Sequence, residues 1–152
     1  MAETSAPTTA TRDWGRFRRM TGGTAVAVAI QVVLGFIAGG VAVYPATSSG
    51  FSSIGAFFSA LSNAGGPTLL LHAGFGVLVF LTALVTGVAS LKHPKQLVRV
   101  TSILGLVFVL IALSGGILWS TSDFANNAGP AMMTIAGPVA LVLFIVAWFK
   151  AK

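Results

Sequence analysis

Two side chains in this chain could bind a metal or a polar ligand inside an apolar layer. His72 stands about five residues inside the outer end of its hydrophobic run, some 7–8 Å down at 1.5 Å per residue. Met133 enters a later run from the same side, about three residues in, with Met132 turned roughly 100° away. Imidazole with thioether is an axial pair for haem iron, and this pair raises the reduction potential. The same two donors suit copper, although two ligands do not complete a site. The bland alternative is a neutral His72 bonded to a carbonyl or water, with Met133 filling space. Tyr44 and Trp119 close their spans at a similar level and could line such a site, while Gln31, deeper in the first span, is expected to hydrogen-bond a neighbouring helix or to line a substrate path. With no cysteine, disulfides and thiolate chemistry are excluded.

The elements that must position these residues are transmembrane helices. The chain is 55% hydrophobic and 8% charged over 152 residues. Soluble domains carry about 25% charged residues, so this composition suits hydrocarbon as its solvent. Four spans are expected, at about 22–44, 67–91, 98–119 and 130–149, each near the ~20 residues that cross ~30 Å of hydrocarbon. The run from Thr24 to Tyr44 is longer than the ~7–15-residue core of a signal peptide, so it is read as a retained span. The turn KHPKQLVR, broken by Pro94, joins the second and third spans. Pro138 should kink the fourth.

All nine basic residues fall on one side of this arrangement: Arg12, Arg16, Arg18, Arg19, Lys92, Lys95, Arg99, Lys150 and Lys152. Basic residues near span ends stay in the cytoplasm, which puts both termini inside. The expected fold is therefore all-α: an integral-membrane up-down-up-down four-helix bundle in a prokaryotic cytoplasmic membrane. Residues 1–20 form a basic cytoplasmic N-terminus, expected to be disordered, ahead of a transmembrane domain at 21–152. The first outer loop carries apolar residues at helical spacing over 51–62, which predicts a short amphipathic helix on lipid or folded over the bundle mouth as a lid.

The net charge of +6 does not indicate nucleic acid, because the cations sit in short clusters beside apolar runs and meet anionic lipid headgroups. Inside lipid, helices associate through small residues and polar groups, so each span can be searched for its small face. The first offers Ala27, Gln31, Gly35, Ala38, Gly39 and Ala42; the second His72, Gly76, Ala83, Thr86, Gly87 and Ser90. The third offers Gly105, Ala112, Gly116 and Ser120; the fourth Met133, Ala136, Gly137, Ala140 and Ala147. Gln31 and His72 therefore face inward. His93, in its lysine-rich turn, is expected to be a solvated surface histidine, and Trp14, Tyr44, Trp119 and Trp148 to form interfacial belts. Apart from Arg99 at the cytoplasmic end of the third, the predicted spans hold no Asp, Glu, Lys or Arg, which argues against a proton pump, a voltage sensor or an ion-coupled transporter.

TAVAVAIQVVLG in the first span and LHAGFGVLVF opening the second resemble half of a haem A synthase or a related b-type cytochrome. The likeness covers roughly the first three spans. It implies a four-helix unit binding haem b, with His72 as an axial ligand. The fourth span has no second histidine, and the first has no intramembrane glutamate. The layout is also similar to small four-helix bacterial membrane proteins of unassigned function. Three expectations follow: a small non-catalytic subunit of a larger membrane complex, respiratory in setting, with other subunits or its own copies as partners; a haem-b electron carrier using His72 with Met133 or a symmetry-related His72; or a small-molecule or lipid-binding bundle with the outer loop as lid.

Overall fold

The computed structural model describes residues 14–41, 53–63, 66–122 and 126–152. All regular structure there is helical: α1 Trp14–Val41, α2 Ile54–Asn63, α3 Gly66–Ser90, α4 Gln96–Thr121 and α5 Ala128–Lys150. The four long helices, α1, α3, α4 and α5, are each long and apolar enough to cross a membrane. The shortest has 23 residues, about 35 Å at 1.5 Å each. By length and composition this is a multi-pass membrane protein.

Helix α1 packs on α3 and α5, and α4 packs on the same two, so the four spans close a ring. Helix α2 rests on α3 and, through Phe58, on the cluster formed by Ala38 and Leu69. A central layer joins Ala25, Val28, Val79, Ala83, Val109, Ala140 and Phe144. Another, at one end, joins Phe17, Val98 and Ala151. Most of these buried side chains are small, as expected where helices attract by close packing rather than by escape from water. The outward stripes are large and apolar, Phe36, Leu78, Leu81, Val85 and Ile135 among them.

One boundary differs from the sequence expectation. Helix α1 starts at Trp14, not near residue 22, so residues 14–20, expected to be disordered, form two helical turns. The cause is tertiary: Trp14 and Phe17, three residues apart on one face, are held against the turn after α3. At the other end, α1 is described to Val41, and Tyr44 lies outside the described residues. Helix α2 overlaps the amphipathic segment expected at 51–62, of which residues 51–52 lie outside the described residues. Pro138 sits inside an unbroken α5; having no N–H, it leaves the Thr134 carbonyl without its usual helical donor.

Gly66 begins α3 at φ 73°, a left-handed conformation that L side chains rarely adopt. Helices α4 and α5 approach closely at two glycines. A Cβ on Gly129 would lie 2.6 Å from the Gly115 carbonyl oxygen and 2.5 Å from Trp119 Cβ. The contacts at the opposite end bring together the start of α1, the α3–α4 turn and the end of α5, with Lys95 Nζ donating to the carbonyls of Lys150 and Lys152.

Candidate functional site

The polar centre of the bundle is a bond between α1 and α3. Gln31 Nε2 lies 3.1 Å from the His72 carbonyl oxygen and 3.2 Å from His72 Nδ1. A carbonyl can only accept, so the atom beside it must be the amide NH2, which fixes which way the Gln31 amide points. Its second hydrogen then goes to Nδ1, the nearer ring nitrogen; Nε2 is 3.5 Å away. Two glycines make the approach possible. A Cβ on Gly76 would stand 3.0 Å from Gln31 Nε2, and a Cβ on Gly35 would stand 3.1 Å from His72 Cε1. Residue 76 shields the carbonyl of residue 72 one turn earlier, so a glycine there opens that carbonyl to a neighbouring helix.

This geometry bears directly on haem. An imidazole bound to metal through one nitrogen usually donates its other N–H to an acceptor. Here Nδ1 accepts a hydrogen from Gln31, which places the ring proton on Nε2. The residues around His72 therefore fit a neutral, hydrogen-bonded histidine better than an axial ligand. Axial ligation needs the Gln31 amide to withdraw from Nδ1. Gln31 Oε1 is buried and has no hydrogen-bond partner among the described residues.

Met133 packs against α4. Its Cγ would lie 3.4 Å from a Cβ on Gly115, and its Sδ 3.5 Å from one on Gly116. Helices α3 and α5, which carry His72 and Met133, are not neighbours in the ring. Trp119 is half-buried and lies against Gly129 of α5. Of the residues proposed to line the site, Gln31 is thus brought onto His72, Trp119 takes part in the α4–α5 crossing, and Tyr44 is outside the described residues. Among the described residues, no three His, Asp or Glu side chains cluster as metal ligands. Two apolar grooves, of about 430 and 340 Å3, lie elsewhere: one between α1 and α3 at Thr24 and Leu81, the other between α4 and α5 at Phe108 and Met132.

The expected small faces do not include the whole run of buried hydroxyls between the Gln31–His72 pair and the Trp14 end. Thr24 Oγ1 donates to the Met20 carbonyl at 3.1 Å and lies 2.8 Å from Thr86 Oγ1. Each hydroxyl has one hydrogen, so Thr86 is the donor to Thr24, and a two-bond chain crosses from α3 to α1. Thr21 and Ser90, both wholly buried, bond carbonyls of their own helices, those of Phe17 and Gly87. Thr86 and Ser90 belong to the expected small face of their span; Thr21 and Thr24 do not belong to that of the first. The signal is nonetheless in the sequence: Thr21, Thr24, Ala25 and Val28 step by three and four along one face. Gly35 and Gly39, expected to share the inward stripe, part company. Gly35 faces His72, whereas Gly39 is exposed, and a Cβ added there would meet no atom within 4 Å.

His93 is the clearest correction. Expected in solvent, it is 3% exposed. Its ring lies 4.5 Å from that of Trp14, edge-on, and 5.2 Å from that of Phe17. Nδ1 accepts the Lys95 N–H at 3.2 Å, satisfying a donor at the cap of α4, which has no side-chain cap of the usual kind. Burial lowers its pKa below the usual histidine range, and the charges of Lys95 and Arg99 act in the same direction. Trp14, expected as an interfacial belt, serves here as a wall for His93. Trp148 lies over Gly22 of α1, with Nε1 2.9 Å from an ideal Cβ there.

No protein-family model, curated protein or solved structure matches the chain.

Proposed function

We propose that the chain is a small non-catalytic subunit of a larger membrane assembly, respiratory in setting, in a prokaryotic cytoplasmic membrane. In this reading the four spans run alternately up and down, with both ends of the chain in the cytoplasm. The meeting of the α1 start, the α3–α4 turn and the α5 end supports that direction, and the basic residues gathered there support the sidedness.

The observation that carries the assembly reading is the glycine on the outside of the bundle. Gly23, Gly39 and Gly40 of α1 and Gly74 of α3 are exposed, and a Cβ at any of them would touch nothing within 4 Å. Glycine costs about 1 kcal/mol relative to alanine inside a helix. Within this chain these four gain no close contact in return. In lipid the usual gain is the approach of another helix backbone, which points to a neighbouring protein or a second copy.

Purification in mild detergent tests this. The chain should elute with other membrane proteins or as an oligomer, and exchange of the exposed glycines for isoleucine should release it. A monomer in every mild detergent would overturn the reading. The competing haem-b reading is separated by an absorption spectrum of the same sample. The subunit reading expects folded protein without a Soret band, whereas a band near about 410–430 nm that His72→Ala abolishes would establish haem ligation.

A further inference from the structure

We infer that the turn of α1 bearing Arg18 is a docking site for the phosphodiester headgroup of an anionic glycerophospholipid, at the seam between the start of α1 and the end of α5. Arg18 is half-buried, and its Nε is buried with no hydrogen-bond partner among the described residues. A guanidinium cannot shed its proton, so an unsatisfied donor on it remains a charged one. Such a group is costlier to leave unpaired than a neutral donor.

The position of Arg18 identifies its partner as an anion at a membrane boundary. It stands one turn before Gly22, on the same face, and Gly22 lies beneath the Trp148 indole of α5. Side chains tilt toward the start of their helix, which carries the guanidinium outward from the apolar span toward the headgroup level. Arg19, beside it in α1, and Lys150 and Lys152, at and just beyond the end of α5, are exposed. A phosphodiester suits this position in charge and shape, because its oxygens match the planar fork of arginine. The inference rests on membrane embedding of this end, and is independent of whether other subunits are bound.

The test uses the full chain in a neutral detergent, titrated with phosphatidylglycerol, phosphatidylcholine or inorganic phosphate, with bound lipid read by native mass spectrometry and thermal midpoint. Phosphatidylglycerol should bind and stabilise, and the other two should not. Arg18→Gln should weaken that binding about fivefold, since a basic residue at an anionic surface contributes ~1 kcal/mol and 1.36 kcal/mol is tenfold. Arg19→Gln, on an exposed neighbour, should weaken it less. Arg18→Lys keeps the charge without the fork, and should fall between wild type and Arg18→Gln; it also serves if Arg18→Gln does not fold. Equal binding of the two lipids overturns the site. So do an effect reproduced by inorganic phosphate alone, an Arg19→Gln loss as large as that of Arg18→Gln, and wild-type binding by Arg18→Lys. Loss of the lipid preference would leave the subunit reading intact, and a partner-free monomer would leave the lipid site intact.

Discussion

Gln31 reaches across from α1 to bond both the backbone carbonyl and the ring of His72, at 3.1 and 3.2 Å, over the bare Cα of Gly76. One amide thus ties down both the backbone and the side chain of a neighbouring helix. The bond also fixes the histidine tautomer and orients the ring.

Removing that amide should loosen the α1–α3 pair. Interhelical hydrogen bonds in lipid average about 0.6 kcal/mol and reach about 1.7, and a donor shared between two acceptors belongs in the upper part of that range. Gln31→Leu should therefore lower stability by about 1–2 kcal/mol in a detergent unfolding titration. Gly76→Ala should cost a similar amount by blocking the approach. The two changes should not add, because both remove the same bond. Full additivity would show that Gly76 serves something else.

The Thr24–Thr86 contact is a second interhelical tie, buried and 2.8 Å long. A double-mutant cycle with Thr24→Val and Thr86→Val should give a coupling of about 0.6 kcal/mol. Valine keeps the shape and removes the hydroxyl, so packing changes little. Zero coupling would mean the hydroxyls bond only within their own helices.

Glycines of opposite kinds should respond with opposite signs. Gly129→Ala drives a methyl group into the Gly115 carbonyl and Trp119 Cβ, both backbone or backbone-attached atoms that cannot swing aside. The expected cost is about 1–3 kcal/mol. Gly74→Ala meets nothing and should stabilise the isolated chain by up to about 1 kcal/mol through helix propensity. In the assembly reading, the same Gly74→Ala change weakens association. Chemical denaturation of purified protein reads the first effect, and co-purification yield the second.

His93 should make stability depend on pH. Its pKa is lowered in the folded protein, so the unfolded chain takes up the proton first as the solution is acidified. Stability is complete above the ordinary value of about 6.5. It falls as pH drops below that value, until the folded imidazole itself is protonated. A protonated ring also loses the Lys95 N–H and meets Lys95 and Arg99 as like charges. Thermal midpoints taken from about pH 7.5 down to 5 should decline in the wild type and stay flatter in His93→Phe, which keeps an aromatic ring between Trp14 and Phe17. Parallel profiles would remove His93 as the source.

The hydrophobic runs alone determined the four long apolar helices, the short amphipathic helix and most of the small faces. Hydrocarbon demands a helix of about 20 residues with its backbone bonds satisfied internally, and a 3.6-residue period then separates lipid-facing from buried stripes. That is why Gln31, His72, Gly76, Ala83, Thr86 and Ala140 could be assigned inward from one chain. Composition also ruled out thiol chemistry outright.

Tertiary structure decided which inward residues meet. His72 engages α1 through Gln31 while Met133 packs on α4, because neighbours around the ring and the rotation of each helix depend on packing between segments far apart in the chain. The 41-residue separation of Gln31 from His72 and the 62 of Thr24 from Thr86 show that distance. The same holds for His93: its neighbours in sequence are lysines and a proline, which read as a solvated turn. Only docking of Trp14 and Phe17, which extends α1 by two turns, takes water away from the ring. Periodicity reports which face of a helix is buried; the identity of the partner is set by the contacts that the folded helices make with one another.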